Sequence, residues 1–180
     1  MKRRNNQRGS ALLEFAFTGV PLIFIWVSTV QMAIGMWQYD SLQYSVKQVG
    51  NFLANHGSDC GGTNSCTTSI QGLAGQMKTY AFAVPASSIY MTFNSVASDH
   101  KTVSTAVSCL LTNSTTPSSG CDQNTTAWPP SSNNTPGSDF EIQAAFQWSP
   151  LMGIVAPGSG ASFTFGKFWM PAYTHQQIVF

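Results

Sequence analysis

Two hydrophobic patterns follow one another in the first third of the chain. Positions 11 to 37 are apolar almost throughout and carry a single charge, Glu14. About 20 mostly apolar residues are enough for an α-helix to cross the hydrocarbon core of a membrane, so this run predicts a membrane-spanning helix. Beyond it, apolar residues recur every three or four positions, at Leu42, Val46, Val49 and Leu53. That spacing predicts that the same helix continues with one apolar face and stops near Gly57.

The predicted helix is longer than a membrane is thick. At 1.5 Å per residue, a helix from Ala11 to His56 measures about 70 Å, roughly twice the membrane core, so its second half projects outward. Its apolar stripe would either seat a folded domain or contact another subunit. We favour the seat, because a small β-sheet needs a partner to pack against.

The remaining chain reads as a small α+β domain. Near-helical spacing predicts a short helix within 68–83, and alternating apolar residues predict a strand at 87–96. Further strands are predicted at 102–111, 140–148 and 161–169. Of the 27 residues in 112–138, 22 are Ser, Thr, Asn, Pro or Gly. This stretch predicts a long loop with a function or with mobility.

Charge is scarce and unevenly placed. Charged residues make up 8% of the 180 positions, against about 25% in an average soluble domain. Four of the eight basic residues lie in the first eight positions, ahead of the apolar run. This cluster predicts a cytoplasmic N-terminus, since basic residues stay on the cytoplasmic side. Together with the one apolar run it predicts a protein that crosses the membrane once. The net charge of +1 gives no reason to expect nucleic-acid binding.

Two other interpretations of the apolar run are disfavoured. A buried core helix is disfavoured, because a small domain rarely buries an apolar run of this length directly after a basic N-terminal segment. A cleaved secretory signal would end near Ala33–Gly35, but its apolar core normally has 7 to 15 residues and this run is longer.

The start of the apolar run carries a processing motif. It reads Arg8-Gly9-Ser10-Ala11-Leu12-Leu13-Glu14-Phe15. This resembles the cleavage site of type IV prepilins and pseudopilins, in which a membrane peptidase cuts after the Gly and leaves the apolar helix on the product. The resemblance implies cleavage after Gly9, Ser10 as the mature N-terminus, and Glu14 as the fifth mature residue. In such assemblies the carboxylate pairs with the freed amino group of a neighbouring subunit. Alternatively, Glu14 only reaches to the headgroups.

A narrower resemblance covers residues 8–57 and, less specifically, 140–169. The Leu-Glu-Phe-Ala core, Pro21 early in the run and the polar, aromatic exit resemble TadE-like minor pseudopilins of tight-adherence (Flp-type) pilus systems. The chain departs from that family at the helix end, where Val49-Gly50-Asn51-Phe52 replaces the common Gly-Ala-Arg element. It is also unusually poor in charge and has an unusually long Ser/Thr/Asn loop.

The resemblance implies a role in pilus assembly. It gives a leader at 1–9, a transmembrane and projecting helix at 10–57 and an extracytoplasmic domain at 58–180. The implied partners are the prepilin peptidase, other pilin-like subunits and the assembly machinery. The implied location is the bacterial inner membrane with a periplasmic domain, or an extracellular pilus.

The four cysteines, Cys60, Cys66, Cys109 and Cys121, all lie beyond the apolar run. Four cysteines allow three pairings, and proximity favours Cys60 with Cys66 and Cys109 with Cys121. The oxidising periplasm permits such bonds. Zinc binding is disfavoured, because the close C-x-x-C pairs typical of zinc sites are missing.

No catalytic motif is found in the chain, and we predict a non-enzymatic protein that needs no metal or cofactor. Asp99-His100 has the residue types of half a catalytic triad, but such neighbours are more often solvated turn residues. The alternative function is a membrane-anchored adhesion module that binds a glycan or partner through the 112–138 loop. Trp128 would then stack on the ligand, although we favour a role in pinning the loop to the domain.

Overall fold

The computed structural model describes residues 7–56, 68–112, 120–148, 153–155, 162–164 and 168–179. The fold is α+β, as the sequence predicts: a long N-terminal helix is followed by a short helix and a four-stranded antiparallel sheet. The chain divides into two compact units. One contains residues 1–36 and 150–165, and the other contains 37–149 and 166–180.

The first unit holds the apolar part of helix α1 (Gln7–His56), with Pro21 inside the helix. The large apolar side chains from Leu12 to Ile25 are all exposed, between 38% and 75%. Within the described residues, α1 is the one helix that is long and apolar enough to cross a membrane. The unit also holds a small antiparallel hairpin of β4 (Gly153–Val155) and β5 (Ser162–Thr164).

The second unit is the folded domain. It contains the end of α1 and helix α2 (Ile70–Tyr80). Its antiparallel sheet has the strand order β2-β1-β3-β6. The four strands are β1 (Ile89–Val96), β2 (Val107–Leu110), β3 (Asp139–Trp148) and β6 (Phe168–Gln177).

One face of this sheet forms the core. Alternating side chains of β1 and β3 point inward, and the register aligns them into rows such as Phe93, Ile142 and Thr174. The predicted stripe on α1 completes the same core, because Leu42, Val46, Val49 and Leu53 are all 0% exposed. Burying such a side chain is worth about 1.5–3 kcal/mol. The stripe is therefore the seat of the domain, as we expected.

Gly50 marks a close approach of α1 to the sheet. A Cβ atom at this position would lie 2.8 Å from Cγ2 of Thr174 on strand β6. Next to Gly50, Nε2 of Gln176 donates a hydrogen bond to Oδ1 of Asn51 at 2.9 Å. Gly50 and Asn51 thus fit α1 to β6.

Two of the predicted strands need correction. The stretch 161–169 is not one strand: it contains all of β5 and only the beginning of β6. The prediction missed most of β6 because Pro171 interrupts the pattern. Proline is tolerated there because β6 is an edge strand in this sheet. The stretch 102–111 is also shorter than predicted, since only β2 pairs regularly with β1.

Replacing Gly50 with alanine should destabilise the domain. The added methyl group would meet Thr174 inside a packed contact, and overpacking of this kind costs about 1–3 kcal/mol. Alanine gains up to about 1 kcal/mol in helix propensity, which offsets only the lower end of that cost, so we expect a net loss of up to about 2 kcal/mol. The measurement is the free energy of unfolding of the full chain by guanidinium in detergent, monitored by tryptophan fluorescence.

Gly75 provides the matched control. It also lies within a helix, but a Cβ atom there would have no neighbour within 4 Å. Gly75→Ala should leave stability unchanged or raise it by up to about 1 kcal/mol. Equal effects of the two substitutions would contradict the close approach of α1 to β6.

Candidate functional site

The predicted cleavage and contact residues lie at the N-terminal end of α1. Gly9, Ser10 and Glu14 all fall within the helix, which begins at Gln7 and therefore includes the end of the predicted leader. Positions 10 and 14 are four residues apart, so they lie one turn apart on the same face. The structure thus places the predicted mature N-terminus and the carboxylate at one site on the helix.

Glu14 is exposed in an apolar neighbourhood. Its carboxylate makes no hydrogen bond or ion pair with any other residue that the structure describes. Only its backbone carbonyl is engaged, accepting from Oγ1 of Thr18 at 2.9 Å. The flanking Leu13 and Phe15 are 62% and 70% exposed. A charged group in this setting is available to a partner outside the chain.

A shallow groove runs along the helix from Glu14. It is lined by Phe15, Thr18, Gly19 and Leu22, and a second groove follows around Pro21 and Trp26. The Phe15 ring lies about 3.3 Å from where a Cβ of Gly19 would be, so the ring lies flat along the helix there. Glu14 therefore lies at the end of a shallow, mostly apolar surface of the helix.

The disulfide predicted from the proximity of Cys109 and Cys121 is present. It joins β2 to a short 3-10 turn at Cys121–Gln123, and both cysteines are buried. Cys60 and Cys66 lie outside the described residues, and their pairing stays a prediction. In the described residues, no group of three or more His, Cys, Asp or Glu side chains is placed to hold a metal ion.

An ion pair next to this disulfide joins α2 to the same turn. Nζ of Lys78 donates to Oδ2 of Asp122 at 2.7 Å, and Oγ1 of Thr112 donates to the same oxygen at 3.3 Å. The hydrogen bond from Lys78 lowers the pKa of the Asp122 carboxyl, and burial only partly opposes this. Sequence reasoning missed this pair, because 44 positions separate the partners and neither lies in a motif.

Asp99 and His100 do not act on each other as a triad fragment would. The Asp99 carboxylate accepts from the backbone N–H of Lys101 and of Thr102, both at 2.9 Å, and from the Thr102 hydroxyl. The backbone bond from Thr102 is the main cause that lowers the pKa of Asp99. His100 instead places Nδ1 3.0 Å from Oδ2 of Asp139. Asp99 is thus a turn residue, as we expected.

Trp128 is part of the core. It is 2% exposed, and its ring contacts Phe93 and Phe140 at centroid distances of 5.1 and 6.3 Å. Thr68 fixes its backbone, accepting from the Trp128 N–H at 2.8 Å through its carbonyl and donating to the Trp128 carbonyl through its hydroxyl. The ring is therefore closed to a glycan, and its role is the pinning that we favoured.

The described part of the 112–138 loop belongs to the domain. Buried Asn133 donates through Nδ2 to the carbonyl oxygens of Ser95 and Thr102, at 3.0 and 3.3 Å. Backbone carbonyls of the loop also accept hydrogen bonds from the start of α2: the Ile70 N–H donates to the Thr126 carbonyl at 3.0 Å. From Gly120 onward this segment is thus structural, and its residues 113–119 lie outside the described part.

The Lys78–Asp122 pair should make stability depend on pH. The pKa of Asp122 is lower in the folded chain than in the unfolded chain. Its contribution is therefore present above the unfolded pKa and is lost as the pH falls through the folded pKa. We expect the wild type to be more stable than Asp122→Asn at pH 7, and this advantage to shrink as the pH falls below about 4.

The measurement is the guanidinium midpoint of both proteins as a function of pH. Lys78→Gln is the control, because without the ammonium group the same Asp122→Asn substitution should lose most of its pH-dependent effect. A stability difference that stays constant from neutral to acidic pH would contradict the contribution of the ion pair.

Comparisons were made with protein-family models, with curated proteins and with solved structures, and none of them matches this chain.

Proposed function

We propose that this protein is a structural subunit of a pilus-assembly system, acting as a TadE-like minor pseudopilin of a tight-adherence (type IV-like) pilus. In this proposal a prepilin peptidase cleaves the chain after Gly9. The N-terminal helix then packs with other pilin-like helices, and the folded domain determines which partners are met.

The observation that carries the proposal is the exposed Glu14 on an apolar helix. A charged side chain in a membrane segment costs about 2.5–3.5 kcal/mol at mid-helix and less near the ends, and such a group usually has a partner. In the described chain Glu14 has none. Cleavage after Gly9 would create a positive amino group on Ser10, one turn away in the same chain and equally present on every neighbouring subunit.

A charge pair in lipid also sets register between helices. Two apolar helices slide past each other with little preference, because lipid is as apolar as their side chains. A single carboxylate per helix, paired with a single amino group, penalises every other register by leaving charge unpaired in a medium of low dielectric constant. Glu14 would therefore both recruit a subunit and fix its axial position.

The orientation follows from the basic cluster. Lys2, Arg3, Arg4 and Arg8 would keep the leader in the cytoplasm, where the peptidase cuts, and would place the domain in the periplasm. The Cys109–Cys121 disulfide suits that compartment, because the periplasm is oxidising. After cleavage the basic leader is lost, while the helix stays in the membrane.

The alternative is a membrane-anchored adhesion module that binds a glycan or partner through the 112–138 loop. The buried Trp128 ring gives that alternative no stacking platform, so we favour the assembly role.

Substituting Glu14 tests the proposal. Glu14→Ala and Glu14→Gln both remove the charge, and Glu14→Gln keeps the shape. We expect each to lower the amount of the protein that is crosslinked to other pilin-like subunits in cells by at least about tenfold, the order expected for losing about 1.4 kcal/mol or more of pairing energy. The readout is in-cell crosslinking followed by mass spectrometry, with protein level and insertion checked by membrane fractionation.

Thr18→Ala is the matched control. Thr18 lies one turn from Glu14 on the same face, and its hydroxyl bonds only to the Glu14 backbone carbonyl. This variant should associate as the wild type does. Normal association of Glu14→Ala would rule out the proposed subunit contact.

A further inference from the structure

We infer that the turn following α2, residues 81–85, rests on the outer lipid interface beside Trp37 and holds the folded domain against the membrane surface. This inference depends on the proposed insertion of α1 in a membrane. We call these five residues the interfacial turn.

The interfacial turn places an exposed phenyl ring beside the exit of the apolar run. Phe82 is 73% exposed and Trp37 is 55% exposed, and their rings meet edge to face at a centroid distance of 5.9 Å. Nε2 of Gln38 donates to the Ala83 carbonyl at 3.3 Å. The turn is thus attached to α1 at the point where the apolar run ends.

The exposed position of Phe82 is held by its neighbours in sequence. Ala81 and Val84 are each 4% exposed and belong to the core cluster. The Ala81 N–H donates to the Met77 carbonyl at 2.8 Å, and the Val84 N–H donates to the Ala81 carbonyl at 3.2 Å. Because Ala81 and Val84 are buried, they fix the turn to the core, and the Phe82 ring between them faces outward.

The distance along α1 puts this pair at the lipid interface. Glu14 and Trp37 are 23 residues apart, which is about 34 Å of helix. The hydrocarbon core is about 30 Å thick, and each headgroup layer adds about 5–8 Å. With Glu14 at the inner edge, Trp37 lies a few ångströms beyond the hydrocarbon, where Trp side chains are enriched.

A second aromatic pair lies further out. Tyr44 and Tyr80 meet edge to face at 6.2 Å, and Tyr44 is 53% exposed. Tyr44 follows Trp37 by seven residues, or about 10 Å of helix, so it lies outside the headgroup layer, on the water side. The apolar pair is thus on the membrane side and the pair with hydroxyl groups is on the water side, the order that the interface favours.

The turn itself carries no charge. The segment 79–98 contains no charged residue, and the exposed Asp40 on α1 lies three residues beyond Trp37, on the water side of the turn's contact with the helix. An exposed Phe in an uncharged turn, at the level where a membrane helix meets the headgroups, matches the interface in both polarity and depth.

Photo-crosslinking of the full chain in vesicles tests this inference. The photoreactive residue p-benzoylphenylalanine replaces Phe82, which preserves an exposed aromatic ring and leaves the core intact. The chain is reconstituted in vesicles of phosphatidylethanolamine and phosphatidylglycerol, irradiated and analysed by mass spectrometry. We expect a phospholipid adduct at position 82.

Two further positions make the result specific. The probe at Phe24, in the middle of the apolar run, should give the adduct if α1 spans the membrane. The probe at His56, exposed at the end of α1 and about 28 Å of helix beyond Trp37, should give at least about tenfold less.

An adduct at position 24 without one at position 82 would overturn the inference and leave the membrane-spanning helix standing. A crosslink from position 82 to a second copy of the chain, in place of lipid, would also overturn it and would assign the turn to a subunit contact. If positions 24 and 82 both fail to form lipid adducts, the proposed membrane insertion fails together with the inference.

Discussion

The contact between the second half of α1 and the inner face of the sheet supports the rest of the domain. Leu42, Val46, Val49 and Leu53 are fully buried there, and a sheet of four strands has no other long element to cover that face among the described residues. Gly50 permits the close approach to β6. The same helix begins with the exposed apolar run, so the run and the packed face are parts of one continuous element.

The apolar run at the start of α1 is exposed, unlike the buried stripe on its second half. Its large side chains are exposed in the isolated chain, so their hydrophobic surface has to be covered by lipid or by other helices. Within this surface a single charge has a large energetic effect. A medium of low dielectric constant raises the free energy of an unpaired carboxylate and strengthens the attraction between a carboxylate and a cationic partner. Helix length, lack of other charges and the position of Glu14 are the observations behind the assembly role that we propose.

Periodic features of the sequence predicted the fold well. The stripe on α1, the short helix α2 and strands β1 and β3 all follow from local spacing, which reports directly on burial. Pairing of Cys109 with Cys121 followed from proximity, and the pinning role of Trp128 followed from weighing a lone aromatic in a polar loop. These are contacts whose signal lies within a few residues.

Contacts between distant segments were not predictable in the same way. Lys78 and Asp122, Gly50 and Thr174, and Trp37 and Phe82 each meet only after the chain has folded, and no spacing rule relates them. Strand β6 was missed because Pro171 is normally a sign against a strand, and its tolerance depends on an edge position that the sequence does not reveal. The residues of the proposed Glu14 contact lie within one stretch of helix, and their role stays a prediction.

The N-terminal sequence of the protein isolated from cells, with and without a prepilin peptidase, tests the central claim most directly. Processing as a pilin-like subunit predicts a chain that begins at Ser10 only when the peptidase is present. A chain that begins just after Gly35 would identify an ordinary secretory signal. A chain that keeps Met1 in both strains would identify a plain membrane anchor, and either result would contradict the pairing of Glu14 with a freed amino group.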